Sequence, residues 1–293
     1  MKFKPMLAAE GADGDITYPK IALPKHNGVR GLVSDGVLLA RSLKPIVNKY
    51  TSSLFSYHEL NGLEGELVVG DPFHEEVFTN TTSGVTSVGG EPDVCWYLFD
   101  MYHPTKPFSE RLAELAQRAE RYDTKYVQVI PHFVVNSDLE VQEYAEWALS
   151  KGFEGLVLRD PDAKYKEGRA TSLENTFLRY VPWFTSEAEI LGVTEGEINT
   201  NESKPNELGN LKKSTSKAGK IPSGRAGTFQ VRDLKTGTEF SMSVPTVALQ
   251  ELVWKDTSKY VGKIARYKFK IGVKKDMPRF AQYEGIRDPI DMS

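Results

Sequence analysis

Cysteine is almost absent: Cys95 is the only one in 293 residues. An intrachain disulfide and a cysteine-built zinc site are thereby excluded, and a reducing, intracellular setting is expected. No apolar run approaches the ~18 residues that a membrane-spanning helix requires. The opening Met1-Lys2-Phe3-Lys4-Pro5 is not followed by the apolar segment of a secretory signal, so none is expected. Histidine is scarce too. His26, His58, His74, His103 and His132 show no metal-ligand spacing and read as solvated or structurally satisfied residues. There is no internal repeat and no heptad pattern. What remains is 40% hydrophobic and 26% charged, which excludes a wholly disordered or collagen-like chain. The length suggests two domains or one large one.

The net charge of −3 conceals an asymmetry. Residues 203–293 hold 18 Lys and Arg against 9 Asp and Glu, while the rest of the chain holds 19 against 31. A basic C-terminal part on an acidic body is one footprint of a polyanion partner, and chance clustering on solvated faces is the alternative.

The first hundred residues read as β-rich. Lys20–Leu23, Arg30–Ser34, Val37–Ala40, Gly65–Val69 and Val94–Phe99 are short apolar stretches separated by turn residues. Ser34-Asp35-Gly36 suits a hairpin turn, and the Gly/Ser/Thr-rich Gly84–Gly90 reads as a loop. Two helices are expected next. Ser109 would cap the first, with Leu112, Leu115, Ala116 and Ala119 on one face. Ser137 and Glu140 form a capping-box signature for the second, with Leu139, Tyr144, Trp147 and Ala148 available to pack and Gly152 as its stop. Phe153–Arg159 is then a strand.

The character changes after Pro182. Glu187–Thr194 reads as a strand and the polar Asn199–Gly227 as a mobile basic loop. Strands at Thr228–Asp233 and Glu239–Val244 flank a Thr236-Gly237 turn. A helix from Pro245 to about Lys255 and strands near Lys263–Val273 and Arg279–Gly285 follow. Several short strands with one short helix suggest a small β-barrel of oligonucleotide-binding type.

The segment with most chemistry in it is Lys25-His26-Asn27-Gly28-Val29-Arg30. A lone lysine is usually a solvated surface residue. Here a glycine follows at +3, which lets backbone approach a ligand, and an arginine at +5, whose charge favours a neutral, nucleophilic amine. Further along, Leu63-Glu64-Gly65-Glu66-Leu67 places two carboxylates on one strand face. They read either as a solvated pair or as acceptors for ribose hydroxyls. Trp96-Tyr97-Leu98-Phe99-Asp100 is an apolar strand. Phe153-Glu154-Gly155-Leu156-Val157-Leu158-Arg159 puts a carboxylate at the mouth of a buried strand, which is expensive unless it is paired or binds a cation. Tyr165-Lys166-Glu167-Gly168-Arg169 then leads into Leu178-Arg179-Tyr180-Val181-Pro182.

In this order and spacing the segments resemble the covalent nucleotidyltransferases, and most strongly the compact ATP-dependent DNA ligases of bacteriophage type. Pro5-Met6-Leu7-Ala8, Arg41-Ser42-Leu43-Lys44-Pro45-Ile46-Val47-Asn48 and the C-terminal Gly272-Val273-Lys274, Pro278-Arg279-Phe280 and Gly285-Ile286-Arg287-Asp288 extend the likeness over nearly the whole chain. The resemblance implies an α+β fold. It would have a nucleotidyltransferase (ATP-grasp-like ligase) domain over 1–184 and an OB-fold β-barrel over 185–293, with no appended domain. It implies that Lys25 attacks the α-phosphate of ATP to give a lysyl–AMP, that AMP passes to the 5′-phosphate of a nick, and that the 3′-hydroxyl then displaces AMP. In that scheme Glu66 contacts the ribose, Phe99 stacks on adenine, Glu154 holds Mg²⁺, and Arg30 and Arg179 hold the nucleotide. Leu23 lines the base without a polar contact. Arg279 and Arg287 orient the leaving pyrophosphate, and Arg41 takes the 5′-phosphate of the nick. Lys212, Lys213, Lys217, Lys220 and Arg225 clamp the duplex, with a hinge near Pro182–Glu187. A monomer in the cytoplasm, that of the host if the source is viral, acting on nicked duplex DNA with no membrane partner, is the implied setting. Three positions depart from the family pattern. Asn27 stands where Asp is usual, Arg179 and Val181 stand where two lysines are usual, and Leu23 offers no side-chain contact to the adenine amino group. An RNA ligase of the same superfamily and a non-catalytic nucleic-acid-binding relative are the alternatives these departures leave open.

Overall fold

Alternating short apolar runs and turn residues build a sheet-rich chain, and helices fill in where the apolar spacing widens. The computed structural model describes residues 4–10, 16–205, 211–270 and 277–287. They fall into two compact units, 1–181 and 182–293.

The first unit holds two five-stranded sheets. One has the order β1 (Ala9–Glu10), β10 (Phe177–Tyr180), β9 (Leu156–Arg159), β2 (Lys20–Pro24), β8 (Phe133–Val135). The other has the order β4 (Val37–Ala40), β3 (Val29–Ser34), β5 (Leu63–Val69), β6 (Val94–Met101), β7 (Val127–Val129). The Lys25–Gly28 segment carries the chain from β2 of the first sheet to β3 of the second. The β3–β4 hairpin turns through Asp35 and Gly36, both at positive φ, as the Ser34-Asp35-Gly36 signal requires. Helices α1 (Lys49–Phe55), α2 (Val77–Thr86), α3 (Phe108–Ala119) and α4 (Asp138–Ser150) complete the unit.

Each sheet has its own core. Leu38, Phe55, Leu63, Leu67, Trp96, Leu98, Phe108 and Leu115 pack in one, and Ala22, Val141, Ala145, Ala148, Leu156 and Leu158 in the other. Between the sheets lies an ion network. Asp100 of β6 receives Arg111 Nε at 2.8 Å and Arg159 Nη2 at 2.7 Å, and all three side chains are buried. The Arg159 guanidinium also lies 4.2 Å from the Phe108 ring and 4.1 Å from that of Phe177. Burial pushes the Asp100 carboxyl up, but the two guanidiniums outweigh it and hold it below the usual carboxylate range.

Several expectations for this unit are corrected. Gly84 lies inside α2 and not in a loop; Val77, Thr81 and Val85 recur at helical spacing and bury that face. Helix α3 starts at Phe108 behind Pro107, so Ser109 lies within its first turn and does not cap it. Proline already has no N–H to satisfy and its φ suits the approach to a helix. Leu139 is exposed on α4, because the buried face follows Val141, Ala145 and Ala148. Helix α1, capped by Asn48 through the Thr51 amide, carries no signal that the sequence reading uses. The Ser137 cap of α4 and the left-handed Gly152 that follows the helix are as expected.

In the second unit β11 (Phe184–Asn199), β14 (Lys220–Asp233), β15 (Glu239–Ser243), β17 (Arg279–Ile286) and β16 (Ile264–Lys270) close into a barrel. Its core holds Ile190, Phe229, Val231, Met242, Ala265 and Tyr267, and α5 (Val247–Lys255) packs against it through Val253. Residues 199–227 are not simply a loop. Strands β11 and β14 run on as a two-stranded ribbon to the Asn199–Lys220 pair, and a short hairpin of β12 (Ser203–Pro205) and β13 (Leu211–Lys213) follows. Cross-strand pairing such as Ile198 with Ile221 sustains the ribbon where composition alone reads as loop. Gly272-Val273-Lys274 and Asp288 lie outside the described residues.

Candidate active site

The site begins with strand register. Pro24 pairs with Leu156, so the next residues along each strand meet as well. The Lys25 amide donates to the Gly155 carbonyl at 2.9 Å and the Glu154 amide to the Lys25 carbonyl at 3.0 Å. Gly155 has φ +133, and a Cβ there would lie 2.5 Å from the Tyr180 carbonyl oxygen, so this crossing needs glycine. The register brings the two side chains together: Lys25 Nζ is 2.6 Å from Glu154 Oε2. Both remain reachable from solvent, at 30% and 13% side-chain exposure. The Lys25 ammonium also donates to the His26 carbonyl at 3.3 Å.

The second sheet supplies the other wall. Gly28 lies so close to β5 that a Cβ would meet the Leu67 carbonyl oxygen at 2.2 Å, and its amide donates to Glu66 Oε1 at 3.2 Å. Burial raises the Glu66 carboxyl above its ordinary value; Lys25 and Arg30 pull against the shift and Glu154 adds to it. Lys25, Glu66, Glu154 and Arg30 therefore share one electrostatic neighbourhood. Arg30 sits opposite Glu66 on β3. Its Nη1 donates to the Met6 carbonyl at 2.6 Å, its Nη2 is bonded to the buried Glu64, and its guanidinium lies 5.3 Å from the Phe99 ring centroid. Glu64 also accepts the Tyr165 hydroxyl. Glu64 and Glu66 are thus not a solvated pair: Glu64 is 1% exposed and fully engaged with protein.

The other expected residues divide. Leu23 and Arg179 both pair with Val157, one on each side of it across the first sheet, and Leu23 is buried. Arg41 is exposed in the turn after β4, where Leu43 has φ +64 and the Leu43 amide returns to the Ala40 carbonyl at 2.8 Å. In the second unit, Arg279 opens β17, with its guanidinium 5.4 Å from the Phe280 ring centroid. Arg287 lies just past the other end, its Nε 2.6 Å from Glu187 Oε1. Arg279 pairs with Lys270 and the Arg287 amide returns to the Ile264 carbonyl, at the two ends of β16 and six residues, roughly 20 Å, apart, so β17 does not bring them to one point. Lys212 and Lys213 lie exposed on β13, Lys217 in a 3-10 turn after it, and Lys220, ion-paired with Glu197 at 2.9 Å, where β14 starts; Arg225 lies further along β14.

His26 has a role in the site that the sequence reading does not give it. Its ring is buried, stacks on Tyr97 at 4.2 Å and meets Phe153 edge-on at 4.9 Å. Burial, and then the Lys25 charge, lower its pKa to about 4, so the ring is neutral at pH 7. Its Nδ1 makes no hydrogen bond. A histidine between two motif residues, with an aromatic strand elsewhere in the chain, is the only signal for this packing.

Among the described residues no three carboxylate, histidine or cysteine side chains gather as a metal cage. A magnesium ion does not need one, because it takes one or two carboxylates together with substrate phosphates and water. Glu154, accessible and already neutralising a cation, fits such a donor.

Residues 16–173 match the family model described as the ATP dependent DNA ligase domain, which is more than half of the chain. The chain belongs to the ATP-dependent DNA ligase family. A chlorella virus DNA ligase-adenylate is similar over 98% of this chain and 100% of its own, at 27% identity and a TM-score of 0.57. A structure from work on Lig E DNA ligases covers 98% of this chain and 100% of its own with a TM-score of 0.72; at 22% identity it speaks to fold alone. No curated protein matches in sequence. The ligase joins DNA strands through a covalent lysyl–AMP intermediate, with ATP and Mg²⁺ as cofactors. No helix among the described residues is long and apolar enough to cross a membrane.

Proposed function

We propose that Lys25 is the residue adenylated and that this ligase seals nicks in duplex DNA. The observation that carries the reading is the contact between the Lys25 amine and the Glu154 carboxylate, within the electrostatic reach of Glu66, to which Arg30, itself 5.3 Å from the Phe99 ring centroid, also contributes. Attack on the α-phosphate requires the amine neutral, so the proton on Nζ must leave, and Glu154 Oε2 lies at hydrogen-bond distance to accept it. The Lys25 nitrogen then bonds to phosphorus as the bond to pyrophosphate breaks. Once that proton has passed on to solvent, the Glu154 carboxylate would hold magnesium, which would supply charge neutralisation on the phosphates. Glu66 accepts from the ribose hydroxyls, Phe99 offers its ring to adenine, and Leu23 shapes the base pocket without a polar contact. Arg179 faces the phosphates. Arg30 helps to hold the nucleotide by bracing Phe99 with its guanidinium.

The barrel of the second unit is an OB-fold in this reading. Arg279 and Arg287 meet the nucleotide from it at different steps, as their placement at opposite ends of β17 suggests. The β11–β14 ribbon with Lys212, Lys213, Lys217, Lys220 and Arg225 grips phosphates without regard to sequence, and Arg41 takes the 5′-phosphate of the nick. Of the expected hinge at Pro182–Glu187, residues Phe184–Glu187 are paired with β16 in the barrel, so the connection at Pro182-Trp183 serves as the hinge. The enzyme acts as a monomer in the cytoplasm, in replication and repair. Incubation with labelled ATP and Mg²⁺ tests the core of the proposal. A covalent adduct mapped by mass spectrometry to Lys25 and absent from Lys25→Ala is expected; an adduct on another residue overturns it.

A further inference from the structure

The chain holds the Asn-Gly dipeptide twice, at Asn27-Gly28 and Asn61-Gly62. A following glycine leaves the backbone nitrogen sterically open to attack on the asparagine amide, so both are chemically competent for deamidation. The fold treats them differently. Asn61 is held on both sides: its Oδ1 accepts the Gly36 amide at 2.8 Å and its Nδ2 lies 3.4 Å from His58 Nδ1. The Gly62 amide is spent on the Val33 carbonyl at 2.9 Å. At the other site the Asn27 Nδ2 has no hydrogen-bond partner although the residue is only 9% exposed. The Gly28 amide points at a base: it donates to Glu66 Oε1 at 3.2 Å.

We propose that Asn27 is a self-modifying site, converted to aspartate with Glu66 as the proton acceptor. Glu66 takes the Gly28 amide proton. The freed nitrogen attacks Asn27 Cγ, and the tetrahedral adduct expels ammonia, which leaves with the proton returned from Glu66. The resulting five-membered succinimide is opened by water at one of its two carbonyls, giving aspartate or its β-linked isomer at that position. The net reaction consumes one water and releases one ammonia. No other reactant is needed. The outcome is a new carboxylate two residues from Lys25. It places a slow, irreversible charge change beside the nucleophile. The chemistry stands on the peptide and on Glu66, and is independent of whether Lys25 is adenylated.

The test uses the full-length folded protein held at pH 8 over days, with peptide mapping by mass spectrometry at both dipeptides. Each conversion adds about 1 Da. Conversion at Asn27 is expected to outpace that at Asn61 by roughly a hundredfold, the lower end of what a positioned base contributes. Exposure alone predicts the reverse order, since Asn61 is the less buried of the two. In Glu66→Gln the conversion at Asn27 is expected to drop to the Asn61 level while the Asn61 rate stays unchanged. Asn61 converting first, no conversion at Asn27, or an Asn27 rate indifferent to Glu66→Gln each overturns the proposal.

Discussion

Lys25 and His26 illustrate how far adjacent side chains can diverge. Lys25 reaches a partly open pocket and meets a carboxylate, while His26 turns into aromatic packing. Replacing Lys25 by Arg keeps a cation against Glu154 but removes a nucleophilic amine. The expected result is an unchanged melting temperature, within about 0.5 kcal/mol in stability, and no adduct with labelled ATP. For His26 the consequence is acid sensitivity. A histidine held near pKa 4 in the folded chain, against 6.5 when unfolded, takes up its proton in the unfolded state first. Its contribution is complete above pH 6.5 and is lost as the pH falls through the folded value. The loss amounts to about 3 kcal/mol over that window. Asp100, also held low, adds a loss in the same direction at lower pH. Urea unfolding of wild type and His26→Phe between pH 7 and 4.5 checks this, and the variant is expected to show the shallower decline. Sequence reading singles out Lys25, Glu66 and Glu154, which the fold brings into one electrostatic neighbourhood, because each sits near a glycine in a recurrent order. It cannot find the partners of Arg30, since Glu64, itself bonded by the Tyr165 hydroxyl, and the Met6 carbonyl reach it only through folding.

Among the elements, β9 and the residues that feed it carry the tightest constraint. Gly155→Ala adds a methyl within 2.5 Å of the Tyr180 carbonyl and demands a φ that alanine avoids. A loss of about 2–4 kcal/mol is expected by denaturant titration, with the adduct yield falling further than stability explains. By contrast, Ser137→Ala removes only the hydroxyl that accepts the Glu140 amide, and a loss of about 1 kcal/mol with full adduct formation is expected. Strands and caps are legible because their signals are local: alternation, Asp-Gly turns, a serine three residues before a glutamate. The end of α2, Gly84–Thr86, reads as a loop because serine, threonine and glycine favour turns intrinsically, and only the burial of Val77, Thr81 and Val85 overrides that preference. The ribbon beyond Thr194 escapes for a related reason: polar strands lack the alternation by which strands are recognised, and the pairing is visible only in three dimensions.

For the whole molecule, charge is divided as the sequence divides it, with the basic excess in residues 203–293. If the ribbon grips phosphates, the binding constant for a nicked duplex must fall steeply with salt. The logarithmic slope is about −0.9 for each phosphate neutralised. Lys212→Ala with Lys213→Ala is expected to make that slope shallower by about 1–2 while leaving the adduct with ATP intact. Fluorescence anisotropy across a salt series reads it, and an unchanged slope removes the pair from the interface.

The two backbone hydrogen bonds that join Lys25 to the Glu154–Gly155 segment link positions 129 and 130 residues apart in the chain. A nascent or partly refolded chain has the lysine but not its counterpart, so if Lys25 is the adenylated residue, chemical competence arrives only when the distant strand has docked. Capture of radiolabelled nucleotide at successive times after dilution from denaturant thus becomes a clock for the formation of that long-range topology, with the enzyme stamping each molecule as it completes its fold.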